Sequence, residues 1–186
     1  MSTTLCQAEQ SRLLIIDIQE RLASVMPETI LDSVLRNNKT LMTAAAQLAI
    51  PVIRTEQYPK GLGPTHPELI NVSDEQTTVL EKTCFSSCGA EGIENILSNN
   101  QREQWIILGM ETHICVLQTC MALLEQNKTV FIIEDGVCSR TKSNFKNAIR
   151  RMRDAGAIIT NTESVLFEWL RDASHPNFKE LSRLIR

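Results

Sequence analysis

RLLIIDI, residues 12–18, decides the fold. Leu13 to Ile16 form an unbroken apolar run, closed by Asp17, with none of the alternation of a half-exposed strand. Such a run reads as a strand buried on both faces. Working outward, residues 29–49 carry apolar side chains at helical spacing (Ile30, Val34, Leu41, Ala45, Leu48), and Pro51 ends the pattern. PVIRTE (51–56) and TTVLEK (77–82) read as further strands. Between them residues 57–67 hold three Pro and two Gly, which reads as a loop. It is long for a connection in a compact domain, so it is a place for substrate contact.

The alternation continues with a helix across 90–98 and the apolar strand QWIILGM (104–110). A helix from about Thr112 to Gln126 follows without a break. KTVFIIED (128–135) is a strand, 142–155 a basic amphipathic helix, and AIITN (157–161) the last strand. Helical segments follow Thr162 and Pro176. Strands alternating with helices, and apolar throughout, call for a parallel sheet covered on both faces. The fold expected is α/β: a three-layer α/β/α, Rossmann-like domain, doubly wound, spanning residues 1–186 as one unit.

Composition narrows the function. The chain is 42% hydrophobic and 22% charged, with a net charge of −3, an ordinary globular profile. The net charge lacks a basic excess and no Lys/Arg block is read beside an aromatic platform, so nucleic acid is not an expected partner. MSTTLCQAEQSR at the N-terminus has no apolar core of a signal peptide, and no run reaches membrane-spanning length. A cytoplasmic protein with no membrane partner is the expectation. The six cysteines then read as thiols. Cys84 and Cys88 are four apart, but no second pair and no clustered His completes a zinc set.

In a doubly wound sheet, ligands bind at the carboxyl ends of the strands, near the point where strand order reverses. That rule selects Asp17 after the first strand, Lys82 at the end of the third and residues 109–115 after the fourth. Asp17 reads either as a bracing carboxylate or as a working one, and Lys82 either as a solvated strand end or as a partner for that acid. Cys115, in GMETHICVLQTC, lies on the first turn of a helix that directly follows a strand. The free N–H groups there favour anions, so the thiol is expected to be biased toward thiolate and to react faster than a free thiol. The alternative is a buried apolar cysteine, the reading given to Cys120 and Cys138, while Cys6 is placed in a loose terminus. His113 is two residues from Cys115 and points to another helix face, so it is a pocket or surface residue and not the general base. His66 and His175 read as exposed. No G-x-x-x-x-G-K-[ST] and no G-x-S-x-G occurs.

Asp17 in LLIIDIQ, Lys82 in EKTCFSS and Cys115 in GMETHICV together resemble the isochorismatase-like cysteine hydrolases. TEQYPKGLGPT (55–65) and the segment from ESVLFEWL (163) onward resemble its isochorismatase domain-containing subgroup. The resemblance covers nearly the whole chain. It implies a six-stranded parallel sheet and an Asp17–Lys82–Cys115 triad. In that triad Asp17 takes the thiol proton, and Lys82 holds the thiolate and steers attack on a small amide or carbamoyl substrate. It implies an oxyanion hole from the N–H groups of Glu111 and Cys115, with a cis peptide at Met110–Glu111. The pocket would be lined by Gln57, Tyr58, Gly61, Leu62, Glu111, Thr112 and Ile114, with the 136–140 turn nearby. Homo-oligomers, dimer or tetramer, are common in the family.

The chain departs from nicotinamidases where they carry an Asp-x-His metal site after the second strand: here stand Glu56, Gln57 and Tyr58. No metal and no cofactor are therefore expected, and nicotinamide recedes as substrate. Isochorismatases proper lack the nucleophilic Cys, so Cys115 argues against vinyl-ether hydrolysis. Two other readings stay open. One is a catalytically silent oligomeric binding or scaffold protein that retains the fold. The other is a thiol redox role, made awkward because Cys120 lies five residues from Cys115 on another helix face.

Overall fold

The computed structural model describes residues 5–72, 77–98 and 101–185. Residues 1–4 and 186, at the ends of the expected 1–186 domain, lie outside them, as do 73–76 and 99–100. The first strand, β1 (Ser11–Ile16), leads through the one-turn α1 (Glu20–Ala23) to the long α2 (Glu28–Gln47). Next come β2 (Val52–Gln57), the one-turn α3 (Pro59–Leu62) and α4 (Pro67–Ile70), then β3 (Thr78–Lys82) and α5 (Ile93–Ser98). After β4 (Gln104–Met110) a π-helical turn (Thr112–Val116) runs into α6 (Leu117–Glu125). The chain closes with β5 (Thr129–Cys138), α7 (Lys142–Asp154), β6 (Ile158–Thr160), α8 (Thr162–Leu170) and α9 (Phe178–Leu181).

All six strands are parallel, in the order β3-β2-β1-β4-β5-β6. Order reverses between β1 and β4, so the crevice where ligands bind in such sheets opens over the ends of those two strands. The apolar run of β1 divides by its two-residue period. Leu13 and Ile15 face one core with Leu41 and Met42 of α2 and with Val165 and Leu166 of α8. Leu14 and Ile16 face the other with Ile93 of α5, Leu117, Cys120 and Leu123 of α6, and Ile149 and Met152 of α7. That is why no alternation is visible in the sequence: each face is an interior. Burial of each such side chain contributes about 1.5–3 kcal/mol.

Several local expectations are corrected. Strand β3 is the sheet edge, and Thr78, Val79 and Glu81 are exposed, so it is neither apolar throughout nor covered. The 57–67 stretch is not a plain loop but carries α3 and α4, each started by Pro at its first turn. Strand β5 runs through the expected 136–140 turn as far as Cys138, with a bulge against β4 between Ile107 and Gly109. Cys6 is fully buried, not loose: its N–H donates to Glu168 Oε2 at 2.7 Å and its carbonyl accepts from Arg171. His66 and His175 are half-buried.

The central pair depends on one glycine. Gly109 has φ +123°, and a Cβ there would lie 2.1 Å from Ile16 O and 2.6 Å from Ile16 N. Backbone cannot retreat as a flexible side chain can. Gly109→Ala is expected to destabilise the protein by roughly 3 kcal/mol or more, read as a lower urea midpoint; an unchanged midpoint would mean β1 and β4 can part without loss.

Candidate active site

Asp17 is the residue after β1, with φ +50°. Its N–H donates to Thr55 O at 3.1 Å, which continues the β1–β2 ladder one step beyond the strand. The carboxylate is fully buried. Oδ1 accepts from Thr55 Oγ1 at 2.7 Å, and Oδ2 accepts from Lys82 Nζ at 2.5 Å. Lys82 ends β3 and is in register with Gln57 at the end of β2. Register neighbours in a parallel pair point to the same face, and Lys82 Nζ donates to Gln57 Oε1 at 2.8 Å. The carbonyls of Cys84 and Phe85, at 3.3 and 3.2 Å, complete its shell. Neither side chain of the pair has solvent exposure.

Cys115 reaches this pair from the other side of the crevice, in the π-helical turn between β4 and α6. Its thiol lies near enough to both for the Asp17 carboxylate and the Lys82 ammonium to act on its ionisation in opposite directions. The peptide Met110–Glu111 is cis, and Glu111 immediately precedes the turn. The structure thus brings Asp17, Lys82 and Cys115 together, with Glu111 at the start of the same turn.

The expected thiolate bias is reversed. Burial pushes the Cys115 thiol up to about 12; the Asp17 carboxylate adds to the rise, and Lys82 offsets part of it. Desolvation outweighs the helix-terminus effect because the sulfur sits against the α6 side of the core with little solvent access. Cys115 therefore rests as a neutral thiol with a carboxylate nearby.

The expected pocket residues divide. Tyr58 is exposed and lines a cavity of about 420 Å³ with Pro59, Lys60, Thr83, Gly89 and Glu91, on the β3 side of Lys82. Gly61 lies under the Tyr58 ring, where a Cβ would meet Cε1 at 2.3 Å, and its carbonyl accepts from Arg21. Leu62 and Ile114 are half-buried. Gln57 is turned inward instead, its amide ends taken by Lys82 and by Thr83 O at 2.6 Å. Thr112 is fully buried, and among the described residues its Oγ1 has no hydrogen-bond partner. The Glu111 side chain turns away to Arg140, accepting from its N and Nε at 3.0 Å each. Glu56, at the position of the missing metal ligand, accepts from Thr65 N at 2.8 Å and Oγ1 at 2.6 Å.

His113 is held between Ser139 Oγ (3.0 Å at Nδ1) and Asn144 Nδ2 (3.2 Å at Nε2). An amide N–H₂ only donates, so Nε2 accepts and the Nδ1–H tautomer follows. Sequence reasoning missed Gln19, which is fully buried. It bridges the two rim segments: Nε2 donates to Gln57 O and Gly63 O, and Oε1 accepts from Gln57 N. Its signal was available, a polar residue directly beyond a buried strand end.

A doubly wound parallel sheet with one switch point defines a three-layer, Rossmann-like α/β protein. The isochorismatase domain family matches residues 11–164, and the chain belongs to that family of hydrolases. Isochorismatase family protein 1B of Dictyostelium discoideum is 39% identical over 176 residues, 93% of this chain and 84% of that protein. The secreted isochorismatase effector Isc1 of Phytophthora sojae is 38% identical over 180 residues, 95% of this chain and 84% of that one. The structure of MAR1 ribonuclease from Caenorhabditis elegans superposes with a TM-score of 0.92 at 37% identity, covering 98% of this chain and 92% of that one.

The thiol's environment sets a pH test. With its ionisation raised from 9.0 to about 12, resting Cys115 carries on the order of a thousandfold less thiolate at neutral pH than an unperturbed cysteine. Iodoacetamide should therefore label exposed Cys84 before Cys115 at pH 7, with Cys115 labelling still rising beyond pH 10. Asp17→Asn should move that titration down and Lys82→Met should move it up, since the carboxylate raises it and the ammonium lowers it. Mass spectrometry of labelled peptides reads both; rapid labelling of Cys115 at pH 7 would contradict the assignment.

Proposed function

We propose that the protein is a metal-independent cysteine hydrolase that cleaves a C–N bond, amide or carbamoyl, of a small molecule through a thioester on Cys115. The observation that supports this reading is the fully buried Asp17–Lys82 pair with the Cys115 thiol beside it, near enough for both charges to act on its ionisation. Asp17 accepts the thiol proton as sulfur attacks the carbonyl carbon, and Lys82 stabilises the charge that develops on sulfur. The N–H groups of Glu111 and Cys115 hold the oxyanion of the tetrahedral intermediate. Its collapse breaks the C–N bond; Asp17 returns the proton to the leaving nitrogen, and ammonia or an amine departs. Water, deprotonated by Asp17, then cleaves the thioester, giving the carboxylic or carbamic acid and restoring the thiol.

No metal or cofactor enters this scheme, in keeping with Glu56 and Gln57 being committed to Thr65 and Lys82. The C. elegans relative is named a ribonuclease. Here the acid and base are paired with each other beneath a thiol, an arrangement that favours carbonyl chemistry over phosphodiester cleavage. We propose one isochorismatase-like domain over residues 1–186, since a single sheet takes all six strands, acting as a homo-oligomer. The six free thiols fit a reducing, cytoplasmic setting. Among the described residues no helix is long and apolar enough to cross a membrane.

Ammonia release from a panel of primary amides, carbamates and ureides tests the reaction. Activity should vanish in Cys115→Ala and fall about 10²–10⁴-fold in Asp17→Asn. A trapped acyl-enzyme should carry its added mass on the Cys115 peptide. Turnover that survives Cys115→Ala would exclude the thioester route. Silence of the wild type across the panel would favour the scaffold reading.

A further inference from the structure

The strongest feature outside the crevice is helix α7. Its thirteen residues carry five of the chain's 19 Lys and Arg and a single acid, Asp154, in a protein of net charge −3. Lys142, Lys146, Arg150 and Arg153 are all exposed. At 3.6 residues per turn these four fall within an arc of roughly 80°, a stripe about 16 Å long. Among the described residues none of the four enters an ion pair. The helix is held rigidly: Thr141 Oγ1 caps it by accepting from Asn144 N, and Ala148, Ile149 and Met152 are buried in the core.

The stripe begins at a cavity of about 450 Å³ between the start of α2, the end of β5 and the first turns of α7. Its walls are mainly apolar, with Ile30, Val34, Val137 and Phe145, and Lys142 and Lys146 also line it. Two acids share the lining, Glu134 and Asp135; Asp135 Oδ1 is already taken by Thr162 N and Oγ1 at 2.9 Å. A volume of this size holds a nucleoside.

We infer that α7 and this cavity form a binding surface for single-stranded RNA or DNA, with phosphates along Lys142, Lys146, Arg150 and Arg153 and one unstacked base against Phe145. Three points select this occupant. A row of unpaired cations on a rigid helix complements a regularly charged backbone. An apolar pocket with an aromatic wall beside that row accepts a base, and only a single strand presents unstacked bases. A lipid surface would need an apolar side of the helix turned outward, whereas the apolar side of α7 is buried. The surface departs from the expectation of no nucleic-acid partner, which rests on overall charge and on reading no basic block beside an aromatic platform. It is independent of the hydrolase reading, because it uses none of Asp17, Lys82 or Cys115.

The test is fluorescence anisotropy with labelled oligouridylate of roughly 20 nucleotides in about 50 mM KCl, followed by a salt titration. The expected result is measurable binding with a log–log salt slope near −3, about 0.7 for each of four phosphates. Lys146→Glu with Arg150→Glu should weaken it at least about tenfold and roughly halve the slope, while iodoacetamide labelling of Cys115 stays as in the wild type. Cys115→Ala should bind RNA normally. No binding in low salt, or equal binding by the double variant, overturns the proposal. So does polyglutamate or a phosphatidylserine vesicle binding as tightly as the oligonucleotide, since either would make the face a generic anion surface.

Discussion

Lys82 Nζ and Asp17 Oδ2 lie 2.5 Å apart with no solvent contact on either side chain. A charge pair removed from water is tolerated only when its remaining donors and acceptors are also satisfied, and loss of one partner costs about 3–5 kcal/mol. The surroundings meet that demand from two segments, the end of β2 and the chain just after β3. Thr55 of β2 covers the second carboxylate oxygen, Gln57 takes one ammonium proton, and the carbonyls of Cys84 and Phe85 curl over the rest. Gln19 in turn fixes the backbone of Gln57 and of Gly63. The conformation of the rim from Asp17 to Phe85 therefore follows from keeping two charges paired.

The same pairing explains how a short chain gathers three residues that are distant in sequence. Asp17 and the Gly109–Glu111 segment lie on either side of the switch point, where no crossover helix blocks the crevice. Lys82 is two strands away from β1, and only its long stem spans β2 to reach Asp17. Gly109 permits the ends of β1 and β4 to close up, which brings the turn carrying Cys115 over the pair. The sheet supplies the positions, and the side-chain lengths supply the contacts.

Much of this was legible because it depends on local pattern. Leu13–Ile16 and the strand at 104–110 announce themselves as runs buried on both faces, and the strand-end rule then names Asp17, Lys82 and Cys115. What was not legible depends on distant partners. The burial of Cys6 rests on Glu168 and Arg171, more than 160 residues away. The inward turn of Gln57 rests on its register with Lys82 across two strands. The one-turn helices α3 and α4 are too short to carry periodicity, so Pro and Gly hid them as loop. The α7 stripe was visible as a basic amphipathic helix, but Phe145 and the cavity beside it come together only when α2 and β5 pack nearby.

The least legible property, the state of the thiol, bears most on mechanism. A helix N-terminus and a lysine argue for thiolate; burial and a carboxylate argue against it, and here they win. Ionising Cys115 outright at pH 7 would cost on the order of 7 kcal/mol, which leaves little room for a preformed thiolate. In the proposed reaction, transfer to the neighbouring carboxylate, made as the sulfur–carbon bond forms, would avoid creating a free buried anion. In such a step negative charge leaves Asp17 as it appears on sulfur and then on the carbonyl oxygen, while Lys82 stays within reach throughout. The ammonium thus faces nearly constant charge along the path and needs little reorganisation. A resting thiol that resists ionisation is then no defect in the site, because the driving force for proton transfer arises only when an electrophilic carbonyl is present to receive the sulfur's electrons.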